Sequence, residues 1–421
     1  MRKKFMKTTP KSLRLHLAIF GRTNTGKSSF LNLVAGQDVA ITSDVPGTTT
    51  DVVEKPMELL PVGPVVFLDT AGLDDVSALG ERRIDKTERV FDRADVILLI
   101  TEHGRETDFE SEVEHKAAER NTPVLRIHNK ADLYRPPADH DGIACCSVDA
   151  GSRTGVLNAL KRELLKICPE DFVRPPPLVG DLLPPGGLAA LIVPIDLQAP
   201  KGRLILPQVQ TIRDALDSDA AALVVKEREY RALLDRLSAP PDLVLCDSQV
   251  VLKMTADTPP EVPCTTFSIL FARLKGDLSA FARGAAAIDR LTGSSRVLIA
   301  ESCSHHALED DIGRVKIPRW LRQYTGAALE FEVCAGRDFP DDLDSYDLVV
   351  QCGGCMQNRR EMLSRLAKCA EARVPVTNYG MAIASTQGVL ERVLTPFPAA
   401  LLAWKRERDR TNTPPQTGET A

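Results

Sequence analysis

The stretch Leu15-His16-Leu17-Ala18-Ile19-Phe20 runs directly into Gly21-Arg22-Thr23-Asn24-Thr25-Gly26-Lys27-Ser28-Ser29. A short, largely apolar run without turn formers predicts a buried β-strand. The Gly-x4-Gly-Lys-Ser that follows, opening a helix near Ser29, is the phosphate-cradling loop in the context it requires. Gly21 and Gly26 let backbone N–H groups turn toward phosphates, Lys27 reaches the β/γ oxygens, and Ser28 ligates magnesium. This loop specifies a nucleoside triphosphate without specifying its base.

Downstream segments narrow the choice. Apolar runs at 65–68, 96–100 and 124–127 alternate with polar, helix-compatible segments, which predicts a doubly wound α/β sheet. Asp69-Thr70-Ala71-Gly72 ends the first of these runs, where the carboxylate holds the magnesium shell and the Gly72 N–H senses the γ-phosphate. Asn129-Lys130-Ala131-Asp132 ends the last. The Asp132 carboxylate can accept from N1–H and N2–H₂ of guanine, which adenine does not offer, so the expected nucleotide is GTP. Ser147, in Cys146-Ser147-Val148, stands where a backbone N–H would meet the guanine O6.

The prolines at 175–177 and 184–185, with Gly186-Gly187, can continue neither a helix nor a central strand, so they mark a linker. Two further α/β units are expected beyond it. The domains are therefore read as 10–172 for the nucleotide domain, 178–263 and 264–402 for two smaller α/β domains, and 403–421 for a polar, disordered tail. The middle domain carries no catalytic constellation and reads as a structural or dimerisation module.

Composition sets limits. Across 421 residues, 43% hydrophobic and 26% charged describes a globular chain, and a net charge of −5 supplies no broad positive field, so nucleic acid is not a favoured partner. No apolar run approaches the ~20 residues needed to span a bilayer. Ten cysteines without a visible secretory leader fit a reducing cytoplasm, and no membrane association is expected.

The nucleotide constellation resembles the translation-factor-related GTPases, most closely the branch containing MnmE, Era and Der. The resemblance implies that Thr49, in Pro46-Gly47-Thr48-Thr49-Thr50-Asp51, completes the magnesium shell. It also implies that Asn24 ligates a potassium ion that assists hydrolysis, and that Glu81 stands where some relatives position water. Leu73 replaces the water-orienting glutamine of many signalling GTPases, so slow intrinsic turnover is expected.

A second constellation lies near the other end. Cys303-Ser304-His305 and Cys352-Gly353-Gly354-Cys355 each follow a predicted strand, at 296–300 and 348–351, and three converging thiolates suit an iron-sulfur cluster or zinc. Cys246, Cys264, Cys334 and Cys369 read as small core residues. A GTPase domain in front of Cys-x-His-x46-Cys-x2-Cys resembles the HydF family of FeFe-hydrogenase maturation factors, as do Asp310 to Pro318 and Thr377-Asn378-Tyr379-Gly380.

This second resemblance implies three α/β domains in the order GTPase, dimerisation and cluster binding, assembled as a homodimer. It implies a 4Fe-4S cluster on Cys303, Cys352 and Cys355, with His305, Glu301 or an exchangeable group as fourth ligand. The cargo would be a di-iron precursor, and the partners the radical SAM maturases HydE and HydG and the apo-hydrogenase. Gln351 departs from the histidine that many members carry before the paired cysteines. A ribosome- or tRNA-associated GTPase with a C-terminal structural zinc site is the alternative.

Overall fold

The computed structural model describes residues 11–36, 53–70, 87–173, 176–195, 204–302, 311–336 and 338–412. The chain divides into two compact units, 1–175 and 176–421.

The first unit is built on six strands: β1 Leu15–Phe20, β2 Val53–Leu59, β3 Gly63–Asp69, β4 Val96–Thr101, β5 Val124–His128 and β6 Ile143–Ala144, in the order β2-β3-β1-β4-β5-β6. All neighbours are parallel except β2 and β3. The pleat of β1 explains its apolar run. Leu15, Leu17 and Ile19 pack with Phe30, Leu31, Leu160 and Leu164 on one face, while Ala18 and Phe20 pack with Val90, Phe91, Val113 and Ala117 on the other. Each such fully buried Leu or Ile contributes roughly 1.5–3 kcal/mol relative to exposure. β2 was not anticipated, because Glu54, Lys55, Pro56 and Glu58 break the apolar pattern. An outer, antiparallel strand tolerates both charge and proline.

The second unit holds two four-stranded parallel sheets. One has the order β10-β9-β7-β8, from β7 Leu188–Ile192, β8 Ala221–Val225, β9 Leu243–Cys246 and β10 Cys264–Thr266. The other has the order β12-β11-β13-β14, from β11 Arg296–Ala300, β12 Glu330–Cys334, β13 Leu348–Gln351 and β14 Val376–Asn378. Leu191, Leu245, Phe271, Val297, Val350 and Met381 belong to one continuous apolar core. The boundary read at 263–264 therefore runs through continuous packing, and the strand just after it completes the first of these two sheets.

The tail requires correction. Residues 403–412, read as disordered, belong to the helix Pro398–Asn412. Their polar composition conceals one buried side chain, Trp404, which joins the same core as Ala400. Glu407 accepts from Arg410 at 2.7 Å and pairs with Arg290 at 3.4 Å, and Lys405 pairs with Glu391, so the charges occupy the outer face. Residues 413–421 lie outside the described residues. No helix among the described residues is long and apolar enough to cross a membrane.

Trp404→Ala should destabilise the second unit by about 3–5 kcal/mol, the usual cost of emptying a buried Trp site. Chemical denaturation followed by circular dichroism measures this, and an unchanged midpoint would contradict the packing assigned to this helix.

Candidate functional site

At the carboxyl ends of β1, β5 and β6 the first unit opens a pocket of about 580 Å³. Its lining brings together Asn24, Gly26, Lys27, Ser28 and Ser29 from the glycine loop with Asn129, Lys130, Asp132 and Ser147 from the base loops. Thr23, Leu133, Cys146 and Val148 complete it. Leu133 and Val148 line the pocket although neither belongs to a motif. They are 68% and 81% exposed, apolar surfaces bordering the Asp132 carboxylate and suited to the flat faces of a base.

The glycine loop is held by its own backbone. Lys27 is buried and its Nζ donates to the carbonyls of Gly21 at 2.6 Å and Arg22 at 3.0 Å, beside the N-terminus of the helix Lys27–Ala35. Gly26 caps that helix at φ 92°, and a Cβ there would lie 2.2 Å from Asn129 Nδ2. Asn129 links the two halves of the pocket. Its Nδ2 donates to Thr25 O at 2.7 Å, while its Oδ1 accepts the Ser147 N–H at 3.0 Å. Lys130 Nζ meets Glu102, at the end of β4, at 2.5 Å.

Asp69, buried at the end of β3, stands beside Ile19 of β1 and has Lys55 Nζ at 3.7 Å. Arg22 reaches across to Glu110 at 2.8 Å. Burial opposes the charge on Glu110, but hydrogen bonds from Thr107 and Arg22 prevail and hold its pKa below the usual carboxylate value. Thr49, Gly72 and Glu81 lie outside the described residues.

The cysteine centre occupies the carboxyl ends of β11 and β13. The Cys352 N–H continues the sheet ladder to Ala300 O at 2.9 Å, and its Sγ accepts the backbone N–H of Ser302 at 3.1 Å and lies 2.8 Å from the Ser302 hydroxyl. Gly354 turns the loop at φ 63°, where a Cβ would meet Met362 at 2.6 Å. Burial raises the pKa of the Cys355 thiol, with the nearby Cys352 acting the same way and Lys275 opposing. Lys275, which carried no motif signal, sits behind this loop. Burial lowers its pKa to about 8, while the two cysteines and Glu361 pull the other way.

Cys303 and His305 lie outside the described residues, directly after Ser302. Glu301 is buried, and its Oε2 accepts from Arg314 Nε at 3.1 Å and Nη2 at 2.9 Å, an ion pair that a metal would have to break. Gln351 is turned to Arg365 Nη1, 3.2 Å from its Oε1. Cys246, Cys264 and Cys369 are fully buried, and Cys334 is half-buried. In the first unit, His103, Glu106 and His128 hold ligand atoms within 4.8 Å of one another. The His128 nitrogens are already engaged, Nε2 by Asp141 O at 2.7 Å and Nδ1 by Thr101 Oγ1 at 3.1 Å.

Residues 16–130 match the family model described as a 50S ribosome-binding GTPase. Residues 178–276 match the hydrogen maturase F dimerization domain and 279–396 its tetramerization domain, together more than half of the chain. This chain belongs to the HydF family. Its first unit is a P-loop GTPase domain. Its last segment, expected as a cluster-binding domain, carries in the HydF family a name that refers to assembly.

Among curated proteins, the tRNA modification GTPase MnmE of Synechococcus sp. (strain RCC307) is 37% identical over 158 residues, covering 37% of this HydF-family chain and 33% of that protein. MnmE of Nitrosomonas europaea is 40% identical over 126 residues, 29% of this chain and 27% of that one. The chain thus spans about a third of the length of these relatives. Among solved structures, Aquifex aeolicus Era bound to GDP and AlF4- is similar at 18% identity and TM-score 0.30, covering 53% of this chain and 98% of that one.

Gly26→Ala should cost at least about tenfold in nucleotide affinity, because the new Cβ collides with Asn129 in a left-handed backbone where only glycine is unstrained. Titration with a fluorescent guanine nucleotide measures it. Wild-type affinity would show that the Asn129 contact does not shape the pocket.

Proposed function

We propose that this chain is a GTP-hydrolysing scaffold for FeFe-hydrogenase cofactor maturation, holding a 4Fe-4S cluster and carrying a di-iron precursor to the apo-hydrogenase. The observation that carries this reading is the placement of Cys352 and Cys355 at the carboxyl ends of the last sheet. A backbone N–H already points at one sulfur, and Cys303 follows in sequence from the residue that supplies it.

Such N–H donation to sulfur is the kind of contact that tunes iron-sulfur centres. Cys303, Cys352 and Cys355 would hold the cluster and leave one iron open for His305 or an exchangeable ligand. In the GTPase domain, Lys27 would neutralise the β/γ-phosphates, Ser28, Thr49 and Asp69 would hold magnesium, and Asp132 would select guanine. Asn24, in the phosphate loop at φ 67°, would hold potassium, and Glu81 would position water. A homodimer, HydE, HydG and the apo-hydrogenase are the partners in this reading.

Anaerobic reconstitution with iron and sulfide tests the centre. The wild-type chain should show a 4Fe-4S signal, Cys303→Ser, Cys352→Ser and Cys355→Ser should lose it, and Cys369→Ala should keep it. Bound zinc in place of iron would favour the ribosome- or tRNA-associated alternative.

Hydrolysis makes a separate test. Lys27→Ala should slow turnover by more than about a hundredfold, Asp132→Asn should weaken the choice of GTP over ATP, and potassium should outperform sodium. Equal rates in the two salts would remove Asn24 from the mechanism while leaving the GTPase intact.

A further inference from the structure

Lys275 ends the helix Phe267–Lys275 and is only 2% exposed. Its ammonium donates to the carbonyls of Gly354 at 2.6 Å and Gln357 at 2.8 Å, and it lies 5.6 Å from the centre of the Phe271 ring. Among the described residues no carboxylate pairs with it. The neighbouring buried cation, Arg365, has Glu361 at 3.9 Å and also donates to Gly336 O and Gln351.

Burying an ammonium is strongly unfavourable unless opposite charge compensates it. Two carbonyls and the C-terminal end of its own helix offer partial charges only. Stapling the loop would not need a charge, since a neutral donor serves that purpose. The groups that act on this ammonium are the Cys355 and Cys352 sulfurs of the loop it grips, anionic once they hold a metal, and the Glu361 carboxylate, which Arg365 engages at 3.9 Å.

We propose that Lys275 is the fixed counter-cation of the cysteine-held cluster, a positioning residue that shapes the Cys352–Cys355 loop and favours the more reduced, more negative state of the metal centre. The inference rests on the iron-sulfur reading above. Net charge and its surroundings set the potential of such centres, and a positive charge fixed in a low-dielectric interior stabilises added negative charge more than the same charge in water.

The test uses full-length wild type, Lys275→Met, Lys275→Gln and Lys275→Arg, each reconstituted anaerobically, analysed for iron and sulfide, and titrated electrochemically with EPR detection. At the wild-type midpoint, the Met and Gln variants should show a reduced-to-oxidised ratio at least about tenfold lower, equivalent to about 59 mV for a one-electron couple. The Arg variant should stay near wild type. A purely structural staple would change how much cluster is held without moving its potential, so unchanged potentials in both neutral variants overturn the proposal. If neither neutral variant holds iron, an Arg variant that holds it at the wild-type potential supports the assignment, and loss in all three overturns it. A wild-type chain that binds zinc or no metal instead refutes the cluster reading, a result distinct from an iron-loaded chain indifferent to residue 275.

Discussion

A parallel sheet covered on both faces leaves polar side chains few places to stand apart from the strand ends, because everything between them is packed against apolar neighbours. The central strands of the described sheets obey that constraint, and both candidate sites follow from it. β1 is buried along its whole length and releases the chain into the glycine loop, while β3, β4 and β5 deliver Asp69, Glu102 and Asn129 at the same edge. β11 and β13 do likewise for Ser302 and Cys352. In the first and last sheets polar side chains gather at one edge because the rest of each central strand is committed to the core.

What differs between the two sites is how their loops are held. In the nucleotide pocket Lys27 holds the glycine loop to its own backbone, and the Asn129 amide ties that loop to the Ser147 loop. Donor and acceptor are both engaged, so rotating the side chain would leave buried polar groups unmatched. The cysteine loop is held from beneath by an ammonium and from the side by Ser302, with Gln351, Gln357 and Arg365 linking the same network. Such a network leaves the Cys352 and Cys355 side chains half-buried while Gln351, Gln357 and Lys275 beneath them remain dry.

The position of Gln351 shows how an isolated substitution is absorbed. Its amide is buried and accepts from Arg365, which in turn stacks over Phe339 and pairs with Glu361. The side chain therefore serves the fold beneath the loop. Glu301 behaves similarly, because its carboxylate is occupied by the ion pair with Arg314.

The sequence by itself determined the sheet class and marked the glycine loop and Asn129 to Asp132, which the fold brings to one pocket, because each sits in a run of neighbours that fixes its local geometry. It also located Cys352 and Cys355 after a strand, since period and apolar content mark β13 clearly. It did not reveal β2, whose charges and proline are legible only once β3 lies beside it, nor the helical state of 403–412, where a single buried Trp404 decides the matter. Least legible was Lys275, a residue with no motif, placed 79 positions from the carbonyl of Gly354 that it grips. A lysine at a helix end ordinarily reads as a solvated charge. Only the packing of that helix under the cysteine loop removes it from water and turns its ammonium to the Gly354 and Gln357 carbonyls.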